Sequence, residues 1–526
     1  NAWQPLGITA HEGEQLIIYV GRDDAKVGSN SSLKLIATQF HAESGTWYKE
    51  VVSNLKVGKN EITIPKISSM ATEHGGALYV EFTGNNDQLN MSVRVSGGTD
   101  IPVLDISKME SESEKKDAIK TYIEELTTYV NALEEKHNSS HKGNEDSNCD
   151  YDYDKTNCIY NVTDIVLDKM MYSVSAEQVL NGIFNKAGSD DIAQQVDVLY
   201  DSFNAMDQML ELFYQHKGLV EYPTDATEYA EFVAKYGDKN AMPSSRLNIR
   251  YQRMFAGAFM YAGGLHIGIE WDSIPGLMTG EPVTSADGKY VSGNLFGWGI
   301  AHEIGHIINQ GDYAIAEITN NYFSVLAQAT ESNDSVRFSY DEVYKKVTSG
   351  TLGKSDNVFT SLGMYWQLHL AYDNGYNYKT YDTYEEQFNN LIFARIDAYA
   401  RNNSLAPKFA DGKAFTLSDA KDSDNKLMRL ACAATQKNLL DFFRSWGMVP
   451  DETTTTYASQ FEKETRKIQY ITDEARDYRV VNSEQADEIA KVTSGAAISA
   501  TLDNPSNSKQ VTISLGITGM EDDSLL

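Results

Sequence analysis

Two histidines and two glutamates in one stretch of this chain have the residue types and the spacing for metal chemistry. Gly297-Trp-Gly-Ile-Ala-His-Glu-Ile-Gly-His-Ile-Ile-Asn-Gln310 contains the pattern HExxH, as His302, Glu303 and His306. On a helix, residues four apart share a face one turn apart, so the two imidazoles can converge on a single ion. The next carboxylate on a helical-looking segment is Glu317, in Ala314-Ile-Ala-Glu317-Ile-Thr-Asn-Asn-Tyr-Phe-Ser324, with ten residues and a turn at Gly311-Asp312 between it and His306. A catalytic zinc keeps three protein ligands and leaves its fourth position to water. His302, His306 and Glu317 would supply the three. Glu303 follows His302 by one residue, near the metal without ligating it, where a carboxylate serves as general base in metal-assisted hydrolysis.

The same letters also fit a core helix with two satisfied histidines and an exposed glutamate. Ile300, Ile304, Ile307 and Ile308 fall at helical spacing around the histidines, which places the pair on a partly buried helix, as a metal site requires. Gly305 inside that helix costs up to about 1 kcal/mol relative to Ala.

The elements that must position this helix read as follows. Residues 1–105 carry short β-branched or alternating runs, Leu16–Val20, Leu33–Phe40, Ile62–Ile64, Ala77–Phe82 and Met91–Val95, and suggest a β-sandwich-like domain. Such a domain can bind glycan or simply pack on the enzyme. Residues 106–485 are expected to form a mostly helical catalytic domain with a small sheet. They begin with an amphipathic helix over 109–137, in which Ile119, Tyr122, Ile123, Leu126, Tyr129, Val130 and Leu133 share a face. A polar loop follows over 138–157; its Asp150-Tyr-Asp-Tyr-Asp154 lacks the glycine and terminal Glu of a calcium-binding EF-hand loop. A further helix, Val196–His216, ends near Gly218. Phe359–Tyr372 and Leu439–Trp446 read as helices beyond Glu317, and residues 486–526 as the start of a further β-rich domain or tail. The fold class is thus α+β and multidomain.

Gly297–Gln310, the following segment around Glu317, and Lys437-Asn-Leu-Leu-Asp-Phe-Phe-Arg-Ser-Trp-Gly-Met448 together resemble the enhancin and enhancin-like zinc metallopeptidases, a gluzincin family. Its pattern of HExxH followed after a short gap by Glu is met by His302, Glu303, His306 and Glu317. The resemblance spans roughly residues 1–480 and is sharpest at the metal motif. It implies one catalytic Zn2+ and cleavage of O-glycosylated proteins such as mucins beside decorated Ser or Thr, by a secreted or cell-surface bacterial enzyme expected to act as a monomer. Gluzincins commonly hold the peptide against a sheet edge upstream of the metal helix, which makes Gly263–Glu270 the expected substrate edge. Gly264, His266 and Trp298 are then candidate substrate contacts, and Tyr365, with His369, a candidate donor to the oxyanion. A general zinc peptidase indifferent to sugar is the alternative. A glycan-binding adhesin with a structural metal fits less well, because such a site has no use for Glu303.

Composition sets outer bounds. At 526 residues the chain exceeds a single core. A net charge of -30 with no Lys/Arg cluster argues against a nucleic-acid partner. The same acidity repels sialylated substrates at long range. The 31 Tyr suit carbohydrate as well as core packing. No apolar run is long enough to span a membrane. The chain starts at Asn1 without a signal peptide, as a mature or trimmed sequence would. Of three Cys, Cys149 and Cys158 could pair in an exported protein, whereas Cys432, in Leu430-Ala-Cys-Ala-Ala434, reads as a buried thiol.

Overall fold

A computed structural model describes residues 3–22, 32–39, 49–65, 75–83, 91–141, 153–253, 259–291, 293–331, 337–373, 380–473, 497–503 and 512–518. Cys149 and Asp150 to Asp152 lie outside the described residues. Two compact units are built: Asn1–Phe213, Ala241–Pro282 and Asn294–Asn309 form the first, and Tyr214–Asn240, Val283–Gly293 and Gln310–Leu526 the second.

The first unit opens with β1 (Trp3–His11), β2 (Gln15–Arg22), β3 (Ser32–Gln39), β4 (Lys49–Leu55), β5 (Gly58–Thr63), β6 (Gly75–Thr83), β7 (Met91–Ser96) and β8 (Thr99–Asp100). They make a five-stranded sheet, β4-β3-β6-β1-β8, and a three-stranded sheet, β5-β2-β7. Alternate residues of both sheets meet in one core, Leu16, Ile18 and Val20 from β2 against Leu33, Leu35 and Ala37 from β3 and Leu78 and Val80 from β6. This is the period-2 burial that a sandwich demands. The intervening β6 residues Ala77 and Tyr79 are buried as well, on the opposite face.

The reason lies in a third, six-stranded sheet. Its strands are β9 (Val103–Asp105), β10 (Thr163–Val166), β11 (Met170–Val174), β12 (Leu247–Tyr251), β13 (Met260–Gly263) and β14 (His266–Ile269), in the order β13-β14-β12-β11-β10-β9. Tyr79 donates to Asp164 of β10 at 2.9 Å, and the Trp3 ring lies 3.6 Å from the guanidinium carbon of Arg250 on β12. The sandwich therefore covers a polar face of this sheet through an aromatic–carboxylate bond and a cation–π contact. Burial pushes the Asp164 carboxyl up to about 6, against bonds from Ser173 and Tyr79 that favour the anion.

The amphipathic helix is α1 (Glu112–Asn131), started by a Ser111/Glu114 capping box; α2 (Leu133–His141) carries helix four residues past the expected end at 137. The chain then adds α3 (Ala176–Ala187), α4 (Ile192–His216) and α5 (Ala226–Tyr236), and a 3-10 segment, Trp271–Met278, leads toward α6 (Gly297–Ile308). The second unit is helical after α6: α7 (Asn321–Thr330), α8 (Tyr340–Thr348), α9 (Val358–Tyr372), α10 (Tyr384–Asn390), α11 (Ile392–Arg401), α12 (Ser423–Thr435), α13 (Leu440–Ser445) and α14 (Glu452–Ser459). Cys432 is buried in α12, where burial pushes its thiol up to about 12. At the end, β17 (Ala497–Asp503) and β18 (Thr512–Thr518) pair antiparallel, following the two-residue strands β15 (Lys437–Asn438) and β16 (Glu462–Lys463).

Candidate metal centre

The metal helix α6 begins without a side-chain cap, from Phe296 at φ 65° and Gly297 at φ 75°. Its buried stripe is Trp298, Ile300, Ala301, Ile304 and Gly305, while His302 and His306 stay half-buried on the adjoining face. Their Nε2 atoms stand 3.2 Å apart with the rings nearly perpendicular. Two ligands at the usual Zn–N distance on a tetrahedral ion are separated by about 3.3 Å. The pair thus fits the group that the pattern implies. Glu303 is 7% exposed, and its carboxylate lies within 4.8 Å of both ligating nitrogens. It sits close to the ion position without belonging to the histidine pair.

Beside α6 runs β13, the terminal strand of the six-stranded sheet. A Cβ on Gly299 would fall 2.9 Å from the Met260 sulfur, so this glycine lets strand and helix approach closely. The substrate edge expected over Gly263–Glu270 is corrected here. β14 lies between β12 and β13, and β13 ends the sheet on this side among the described residues; Gly264 occupies the turn between β13 and β14, at φ 62°. His266 lies on the interior strand, 3.1 Å from the Tyr261 hydroxyl, which also donates to Gln252 at 3.1 Å. Burial, then the charge of Arg250, depresses its imidazole to about 3, so it is neutral at ordinary pH. Tyr261 and Gln252 were not singled out by the sequence; the only signal was a Tyr opposite a Gly across a turn. Trp298 is largely buried.

In the second unit, Glu317 is exposed and has φ 65°. A left-handed backbone costs a non-glycine residue about 1–2 kcal/mol, and such outliers concentrate at functional sites. Its carbonyl accepts from Asn321 Nδ2 at 2.7 Å. Tyr365, expected as an oxyanion donor, is 1% exposed within α9, with its hydroxyl buried.

His369, the other expected donor, belongs to a buried group with His216, Tyr322 and Asp373. The Tyr322 hydroxyl sits 3.0 Å from His216 Nδ1 and 3.1 Å from His369 Nδ1, and Asp373 Oδ2 is 2.6 Å from His369 Nδ1. The residue types would suit a metal, but the Tyr322 hydroxyl lies within hydrogen-bond reach of both imidazoles, and Asp373 stands at ion-pair distance from His369. It is a proton-held network joining the end of α4 to α7 and α9. Burial drives His216 down to about 3. At Asp373 burial acts upward, and the His369 charge and hydrogen bond outweigh it, holding the carboxyl below its usual range.

An HExxH helix with its imidazoles set for one ion, a buried glutamate beside them and a terminal strand alongside defines a metallopeptidase. Residues 229–447 match the family model of peptidase M60, enhancin and enhancin-like. No curated protein matches the chain. Among solved structures, it is similar to the ZmpB metallopeptidase from Clostridium perfringens, at 18% identity and a TM-score of 0.63, covering 100% of this chain and 85% of that one. The M60 catalytic domain of Clostridium perfringens ZmpC in complex with the sialyl T antigen matches at 19% identity and 0.62, over 98% and 84%. A metallopeptidase in complex with Tn antigen matches at 15% and 0.58, over 97% and 83%. At these identities the likeness establishes the fold, a β-rich N-terminal region followed by a helical catalytic region. Among the described residues no helix is long and apolar enough to cross a membrane.

Proposed function

We propose that this chain is a zinc endopeptidase that cleaves O-glycosylated, mucin-type proteins next to decorated Ser or Thr. The observation that carries the hydrolytic part is the 3.2 Å separation of the His302 and His306 Nε2 atoms, with the Glu303 carboxylate beside them. Glu317 is the third ligand on the strength of its place in the family pattern. When bound, zinc polarises the scissile carbonyl and makes water a competent nucleophile near neutral pH. Glu303 takes the proton from the attacking water onto a carboxylate oxygen and passes it to the leaving amine nitrogen. The terminal position of β13 supports strand addition by the peptide along Met260–Gly263, with Gly264 at the end of that strand as a further contact.

Support for the glycan part comes from the similar metallopeptidases solved with sialyl T antigen and with Tn antigen. Such a substrate goes with an extracellular enzyme, acting here as a monomer. The test is digestion of a mucin-type glycoprotein before and after enzymatic removal of its O-glycans, by wild type and Glu303→Ala, with fragment ends read by mass spectrometry. Cutting only of the glycosylated form, beside decorated residues, and a silent variant are expected. Equal cutting of both forms would leave a general zinc peptidase, and undiminished cutting by Glu303→Ala would refute the mechanism.

A further inference from the structure

We propose that Asn321 is a positioning residue for the metal ligand Glu317, an inference that rests on the reading of Glu317 as the third ligand. Glu317 holds a positive φ of 65°, a conformation that glycine adopts freely and glutamate does not. A glutamate kept there points to a need for its carboxylate, and the backbone around it is braced on both sides.

The two braces are each four residues long. Thr319 Oγ1 accepts from the Ile315 N–H at 3.0 Å and donates to the Ile315 carbonyl at 3.1 Å, closing the turn ahead of Glu317. Asn321 Nδ2 donates to the Glu317 carbonyl at 2.7 Å from a side chain that is 2% exposed. That bond fixes the peptide plane that follows Glu317, and with it the direction in which the glutamate side chain leaves the backbone. Asn321 is itself the first residue of α7, so the brace connects the ligand to a helix whose every residue is buried. A loop ligand held in this way loses little freedom when it meets an ion, which is how groups behind a metal's direct ligands raise affinity.

The experiment titrates metal-free protein with Zn2+ against a chromophoric chelator, for wild type, Asn321→Ala, Asn321→Asp and Glu317→Ala. Asn321→Asp keeps the side-chain shape and removes the donor, so it stands in if the alanine variant fails to fold. Both Asn321 variants are expected to weaken zinc binding by about 10–100-fold, and Glu317→Ala by more. The visible spectrum of the Co2+-substituted protein supplies a readout that general destabilisation does not move: the Asn321 variants should shift toward the spectrum of Glu317→Ala. Zinc affinity and cobalt spectrum unchanged in both Asn321 variants, while Glu317→Ala loses the metal, would overturn the proposal. Wild-type affinity in Glu317→Ala would instead remove the ligand assignment, and the positioning role with it.

Discussion

The terminal strand β13 lays the Tyr261 ring over Gly268 of its neighbour β14, and that contact can be tested by Gly268→Ala. Tyr261 pairs with Gly268 across the strands, and its ring lies over the position a Cβ would take, with Cε1 2.0 Å and Cζ 2.5 Å away. Carbon atoms prefer about 3.5–4.0 Å, so the ring must withdraw by roughly 1.5 Å or more. Withdrawal breaks the Tyr261 bonds to Gln252 and His266, at about 1 kcal/mol each, and overpacking adds about 1–3 kcal/mol. Alanine returns about 0.5–1 kcal/mol through the unfolded chain, because Gly268 does not use the left-handed region. The net expectation is a loss of about 3 kcal/mol. In a Tyr261→Ala background there is neither ring nor bond to lose, so the same substitution should be close to neutral. Denaturant unfolding of the four proteins of this cycle, followed by circular dichroism, gives the coupling directly. Equal destabilisation in both backgrounds would refute the ring contact as the cause.

His302→Ala or His306→Ala should abolish stoichiometric zinc, measured by elemental analysis of dialysed protein. Glu303→Gln should keep the zinc and lose about 10²–10⁴-fold in peptide hydrolysis, a split that separates the base from the ligands. Acid stability should carry the mark of His266 and His216, both depressed to about 3 when folded and ordinary, near 6.5, when unfolded. Between these values the unfolded chain binds more protons, so stability falls as pH drops from about 6.5 toward 3, by up to about 1.4 kcal/mol per pH unit for each. His266→Gln should flatten that slope in unfolding measured across the window; an unchanged slope would mean that His266 titrates normally. Lys217→Met strands Asp397, whose partner it is in a buried ion pair; the Tyr313 hydroxyl still donates to Asp397, which favours the lower end of the usual loss, about 3 kcal/mol in a denaturation midpoint.

What the sequence disclosed and what it hid divide along the range of the interactions involved. His302 and His306 were legible because a helix fixes the relation of residues four apart with no help from the rest of the chain. The strand beginning near Leu16 and the helix from Glu112 were legible for the same reason, since their burial repeats along the element itself. Strand order has no such local signature. Phe259–Glu270 reads as extended throughout, yet a turn at Gly264 makes its first half terminal and seats its second half between two neighbours. β9 contributes three residues to the six-stranded sheet, too few for any alternation to show.

Tyr365 and His369 show a different limit: residue types suited to catalysis stand on a helix that is apolar on nearly every face, and spacing alone does not separate a packed side chain from a reacting one. Such a helix is a buried one, and its polar groups have to be satisfied inside the protein. His369 meets that demand through Tyr322 and Asp373. Asn321 was in plain sight within the quoted motif and passed over, because an asparagine that bonds a carbonyl four residues back looks in sequence like any other polar residue. Its interest begins only with the φ of Glu317, a quantity that no pattern of residue types contains.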